Sequence, residues 1–193
     1  MRVNPEDISL MLKALKFAAI RHRDQRRKDK QASPYINHPI TVVSTLWETG
    51  GIRDVTTLVA GILHDIIEDT DTSTEELTAE FGAEICQIVK ELTDDKQLPK
   101  PVRKRLQLQN VAELSTRARH VRIADKISNL EDILHSPPAN WSLERRREYV
   151  EWAGKVIDGL RGSNNALEKY FGELFAEAVK MLEEERKTQS LNG

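Results

Sequence analysis

The sequence predicts an all-α fold. Three observations carry that reading. Apolar residues recur at helical spacing along most of the chain, no segment alternates apolar and polar residues beside a hairpin turn, and capping or breaking residues punctuate the periodic runs. At 193 residues the chain is read as a single globular domain over 1–185, with 186–193 as a frayed tail.

Ile8, Leu12, Leu15 and Ala19 mark a first helix, which runs into a basic loop ending at Ser33-Pro34-Tyr35. A short helix is expected from about Pro39, because proline suits a first turn, with Ile40, Val43 and Leu46 inward and Gly50-Gly51 at its end. Asp54 is placed to cap a central helix carrying Val55, Leu58, Val59, Ile62, Leu63, Ile66 and Ile67. That run is too apolar on all sides for a surface helix, so it belongs in the core. Ser73 followed by Glu76 forms a capping-box pattern for the next helix, which Gly82 stops, and Ala83 to Thr93 forms another. Asp94 to Lys100 reads as a polar loop. Helices then follow around Val102–Leu114, through Val121, Ala124, Ile127 and Leu130 up to Pro137-Pro138, and from Ser142 to Leu160. After the Gly162-Ser163-Asn164 break, Leu167, Phe171, Leu174, Phe175 and Leu182 mark a last amphipathic helix.

A formal charge of −2 gives no bulk attraction for nucleic acid or an anionic membrane, and the one basic cluster spans Arg21 to Lys30. The lone Cys86 excludes an intrachain disulfide and a cysteine-based zinc site, and fits a reducing compartment. The start of the chain lacks an apolar core of signal-peptide length, and nowhere do about 18 apolar residues run together. A soluble cytoplasmic protein without a membrane partner is expected; the residues carry no signal for oligomeric state.

Function is most legible at His64-Asp65, a polar doublet between Leu63 and Ile66. A carboxylate buried without a partner costs several kcal/mol, so something must neutralise it, and a metal ion would do so. His38 and Asp125 occupy similar settings, in or next to apolar segments. Two imidazoles and two carboxylates suit Mn²⁺, Fe²⁺, Co²⁺ or Zn²⁺, with open positions left for chemistry. Singly, His38 reads rather as a turn or capping residue and Asp125 as a paired surface or helix-face carboxylate. In a helix Glu68 lies four residues after His64 and Asp69 four after Asp65, so both acids extend along the faces of the candidate ligands. A carboxylate there could position or deprotonate a water. Trp47, Trp141 and Trp152 are read as core residues rather than a stacking surface.

Three segments then resemble, in order and spacing, the hydrolase domain of the RelA/SpoT alarmone enzymes, members of the HD superfamily. They are Pro34-Tyr35-Ile36-Asn37-His38-Pro39, His64-Asp65-Ile66-Ile67-Glu68-Asp69-Thr70 and Ala124-Asp125-Lys126-Ile127-Ser128-Asn129-Leu130. The brevity of the chain and its Thr93-Asp94-Asp95-Lys96 segment are similar to the single-domain small alarmone hydrolases. The resemblance implies an HD-domain helical bundle that uses Mn²⁺ to hydrolyse the 3′-diphosphate of guanosine tetra- and pentaphosphate. It implies His38, His64, Asp65 and Asp125 as metal ligands and Glu68 with Asp69 as the catalytic acidic pair. Arg27, Lys28 and Asn129 are implied as nucleotide contacts, and Lys100, Arg145 and Tyr149 as phosphate contacts. The long enzymes read Ala-Asp-Arg-Leu-His-Asn where this chain has Ala124 to Asn129, so Ser128 replaces an imidazole with a hydroxyl. An NADPH 2′-phosphatase, or another HD nucleotide phosphohydrolase, is the alternative, since the metal cage is shared and the pocket varies.

Overall fold

A computed structural model describes residues 4–191, and among them no strand forms; a lone antiparallel bridge joins Arg26 to Pro34. The helices are α1 (Pro5–Arg21), α2 (Asn37–Glu48), α3 (Val55–Leu63), α4 (Ile66–Asp69), α5 (Thr74–Phe81), α6 (Ala83–Leu92), α7 (Lys100–Asn110), α8 (Thr116–His135), α9 (Leu143–Asp158) and α10 (Asn165–Leu191). A 3₁₀ turn over Val111–Glu113 follows α7. The core centres on α3, flanked by α1, α2 and α6, and on α8, which α2 and α10 cover. Leu58, Ile62, Leu63 and Ile66 meet Ile123, Ile127 and Leu130 in one buried cluster. Burying such a side chain contributes roughly 1.5–3 kcal/mol, so this cluster supplies much of the drive to fold.

The caps form where the sequence places them. The Asp54, Ser73 and Ser142 side chains accept from the backbone N–H of Thr57, Glu76 and Arg145. The Ser73 box closes on one side only, because the Glu76 carboxylate pairs with Arg21 of α1 instead of returning to its own helix. Gly82, at φ 86°, joins α5 to α6 in a conformation open to glycine.

One inward assignment changes, and α1 packs on a face other than that of its largest apolar residues. On α1, Ala14 and Ala18 are buried while Ile8, Leu12 and Ala19 face outward, because α1 approaches α3 closely on its small-residue side. Helix α2 starts at Asn37, two residues before Pro39, and turns Val42, Thr45 and Leu46 inward, leaving Ile40 exposed. The tail expected to fray from residue 186 stays helical as far as Leu191, although its residues are exposed; residues 192–193 lie outside the described part. Among the described residues no helix is long and apolar enough to cross a membrane.

Candidate metal centre and nucleotide cleft

The run expected as one central helix breaks at the polar doublet. α3 ends at Leu63, Asp65 takes φ −98° and ψ 0°, and α4 resumes at Ile66. In a continuous helix neighbouring side chains diverge by about 100°. The break lets His64 and Asp65 face one point. His38 arrives from the first turn of α2 and Asp125 from the middle of α8.

The four side chains converge. His64 Nε2 lies 3.1 Å from Asp65 Oδ2 and 3.9 Å from Asp125 Oδ1; His38 Nε2 lies 3.2 Å from Asp125 Oδ1 and 3.8 Å from Asp65 Oδ2. His64 Nδ1 is 2.8 Å from the Gly61 carbonyl, which can only accept, so Nδ1 carries the hydrogen and Nε2 presents its lone pair to the cluster in the neutral ring. His38 Nδ1 is 3.0 Å from Ser128 Oγ, so Ser128 orients this imidazole despite replacing a bulkier residue. His64 Nε2 is buried and lacks a hydrogen-bond partner, although Asp65 Oδ2 is near enough for one. The donor atoms of His38, His64 and Asp65 all lie within 4.8 Å of one another, with Asp125 Oδ1 beside both imidazoles, and this set fits a divalent ion with mixed nitrogen and oxygen ligands.

The electrostatics agree. Burial opposes charge on Asp65, but the adjacent His64 and His38 outweigh it and hold the carboxyl well below its ordinary range. For Asp125, burial is likewise overcome, first by Lys126. Burial disfavours a charged His64, yet Asp65 and Asp125 push it up to about 9. His38 moves down, through burial and then the Arg27 and His64 charges, against its hydrogen-bonded Asp125. Both carboxylates are thus held ionised by the imidazoles and Lys126 around them.

Beside the cluster, reached through Tyr35, Lys126 and Asn129, lies a cleft of about 730 Å³. Arg27, Lys28, Lys100, Asn129, Arg145 and Tyr149 all line it, and so does Asp69. Nine basic side chains against four acidic ones make its wall strongly positive on a chain of net charge −2. Burial, then the neighbouring Arg145, Lys104 and Lys28, pull Lys100 below its usual range, a repulsion that a bound polyanion would relieve. The sequence-predicted acidic pair is divided. Asp69 faces the cleft and pairs with Lys96, whereas Glu68 accepts from the Asp94 backbone N–H at 3.0 Å and meets Arg103 at 3.3 Å. Burial, then nearby Asp94, Asp65 and Asp69, push Glu68 up to about 7 despite its backbone hydrogen bond and the Arg103 contact.

The family model of the HD domain matches residues 14–151 of this chain. The chain belongs to the HD-domain family. The HD-domain relatives include the guanosine-3′,5′-bis(diphosphate) 3′-pyrophosphohydrolase MESH1 of Xenopus tropicalis, 47% identical over 88% of this chain and 94% of the relative. The Homo sapiens MESH1 is 48% identical over 86% of this chain and 92% of its own length. A solved structure described as a metazoan ortholog of SpoT that hydrolyses ppGpp superposes with a TM-score of 0.86 at 44% identity, covering 92% of this chain and 97% of that one.

The HD-domain site also contains residues that sequence reasoning passed over. Trp141 and Trp152, expected in the core, line the cleft on either side of Tyr149, with ring centroids 5.5 Å apart at each step. Arg145 lies 4.5 Å from the Trp141 ring and Lys126 4.6 Å from the Trp152 ring. Trp47 is 41% exposed, beneath Arg53. Tyr149 and Trp152 stand three residues apart beside Arg145, a signal of aromatic and basic residues on one helix face. Lys126, 4% exposed, ion-pairs with Asp125 Oδ2 at 2.8 Å; its place next to a candidate ligand was the available clue.

Proposed function

We propose that this HD-domain protein is a Mn²⁺-dependent guanosine-3′,5′-bis(diphosphate) 3′-pyrophosphohydrolase, releasing GDP or GTP and pyrophosphate in the cytoplasm. The observation that carries the reading is a cationic, aromatic-lined cleft whose wall includes Tyr35, Lys126 and Asn129, each bonded to Asp65 or Asp125 of the cluster. The activity named for the MESH1 relatives supports it, as does the buried unpaired Cys86 for a reducing compartment.

His38, His64, Asp65 and Asp125 would hold the ion, which when bound supplies Lewis acidity and a water acidic enough to act near neutral pH. Asp69, on the cleft wall, orders the attacking water and accepts its proton. The bond that forms joins the water oxygen to the phosphorus on ribose O3′, and the bond that breaks is that phosphorus to O3′, which takes up a proton. Glu68, raised to about 7, is the second carboxyl able to exchange a proton at neutral pH. Lys28, Lys100 and Arg145 offset phosphate charge, Arg27 holds Asn129 from 3.1 Å, and the Trp141–Tyr149 face receives the base. Asn129 in turn donates to Asp125 Oδ1 at 2.7 Å, linking nucleoside to metal centre.

A second reading, NADPH 2′-phosphatase, draws on a groove of about 530 Å³ that continues the cleft past Lys100, Trp141, Arg145 and Tyr149, room for a dinucleotide. One experiment separates them. Protein stripped with chelator and reloaded with Mn²⁺ receives guanosine tetraphosphate or NADPH in separate reactions. Metal-dependent pyrophosphate and GDP support the first reading; phosphate and NADH alone support the second and overturn the first.

A further inference from the structure

Lys96 is the one cation of the cleft wall that ion-pairs with Asp69. It rides on the loop between α6 and α7, and that loop is fastened to the same acidic pair. The Asp94 N–H donates to Glu68 Oε2 at 3.0 Å, and Gln107 Nε2 donates to Asp94 Oδ2 at 2.7 Å. Within the loop, Gln97 and Leu98 donate to the side chain and carbonyl of Asp95, closing a turn around Lys96. The loop backbone is therefore fixed on Glu68, while the Lys96 side chain, half-exposed, reaches over the cleft to Asp69.

This arrangement sets a competition. A half-exposed ammonium–carboxylate pair is weak, because water and salt screen it. A di- or triphosphate entering the cleft offers the same ammonium several negative oxygens at once. The surrounding wall holds Lys100 and Arg103, which repel Lys96 from any site other than an anion. Asp69 thus holds Lys96 only until a stronger anion arrives.

We infer that Lys96 is a substrate-binding residue that exchanges Asp69 for a phosphate of the bound nucleotide, so that the free protein keeps Asp69 paired and the substrate itself releases it. The site then arms only when phosphate occupies it, and Lys96 ends beside the anion rather than beside the carboxylate. The part played by Asp69 in catalysis rests on the reading given under Proposed function; the exchange itself rests on the geometry of the pair.

The test uses the Mn²⁺-loaded full chain and inorganic pyrophosphate as the probe, with binding followed by titration calorimetry. Lys96→Ala is expected to weaken pyrophosphate about tenfold, the scale of one lost charge-assisted contact. Lys96→Arg is expected to stay within about threefold of the parent. The deciding variant is Lys96→Ala combined with Asp69→Asn, which has the same local net charge as the parent. Exchange requires it to remain several-fold weaker than the parent. Parent-like binding in that double variant would mean Lys96 acts only by neutralising Asp69, and parent-like binding in Lys96→Ala would remove it from the site; either overturns the inference. Initial rates with guanosine tetraphosphate form a separate arm, in which Lys96→Ala raises KM more than it lowers kcat. A parent protein that releases no pyrophosphate from that nucleotide, with the calorimetric result intact, overturns the substrate reading and leaves the assignment of Lys96 standing.

Discussion

The Tyr35 hydroxyl donates to Asp65 Oδ2, the same oxygen that faces His64 Nε2 at 3.1 Å. Burial, then the Asp65 and Asp69 charges, hold the phenol far above its ordinary pKa, so it remains a donor at any working pH. Its ring stands edge-on to His38 and tilts over the buried His22, leaving little freedom to turn away. Tyr35 therefore fixes which way one carboxylate points into the cluster.

Tyr35→Phe keeps the ring and removes that hydrogen bond. Loss of such a partner costs about 10–100-fold in metal affinity. The expected outcome is a Mn²⁺ requirement raised at least tenfold, with activity returning at high Mn²⁺, read by titrating rate against free metal. An unchanged requirement would show that Asp65 needs no such support.

Metal removal should register in stability as well as in activity. An ion present at 100 times its dissociation constant contributes about 2.7 kcal/mol to the folded state, which for a domain of this size raises the melting midpoint by about 5–10 °C. Chelator should reverse that increment, and His38→Ala should show none. Equal melting of the parent with and without Mn²⁺ would count against the cluster as an ion site.

Glu68 makes stability depend on pH in a defined direction. Its folded pKa of about 7 lies above the reference 4.5, so between those values the unfolded chain has lost a proton that the folded protein keeps. Stability attributable to this group is full below pH 4.5, falls as pH rises through that window, and is constant above it. Glu68→Gln removes the titration. Relative to the parent, it should gain stability of order 2 kcal/mol between pH 4.5 and pH 8, measured by urea denaturation at each pH. A flat difference would assign the burial cost to another group.

Much of this molecule can be read from its residues because local rules decide it. Asp54, Ser73 and Ser142 cap where short polar side chains precede apolar runs, and the crowding of polar ligand types among Leu63, Ile66 and Ala124 marks the cluster. Periodicity gives a helix without its rotation. That is why α1 turns Ala14 and Ala18 inward rather than Ile8 and Leu12, which mark its period in the sequence. The break at His64-Asp65 has no glycine or proline to announce it; convergence on His38 and Asp125 is a tertiary demand. Trp141 and Trp152 escaped for a related reason, since only the meeting of α7, α8 and α9 turns their faces toward open space. Lys126 was hidden by an expectation that lysines are solvated, which pairing with Asp125 and cover by Trp152 overturn.

The charge of the cleft wall also sorts ligands by shape. Nine basic against four acidic side chains inside it, on a chain of formal charge −2, leave seven excess negative charges distributed over everything else. Positive charge is thus concentrated in one hollow of an otherwise acidic molecule. A compact anion small enough to sit wholly within the hollow meets mainly basic side chains, whereas a longer one also meets the acidic remainder of the molecule.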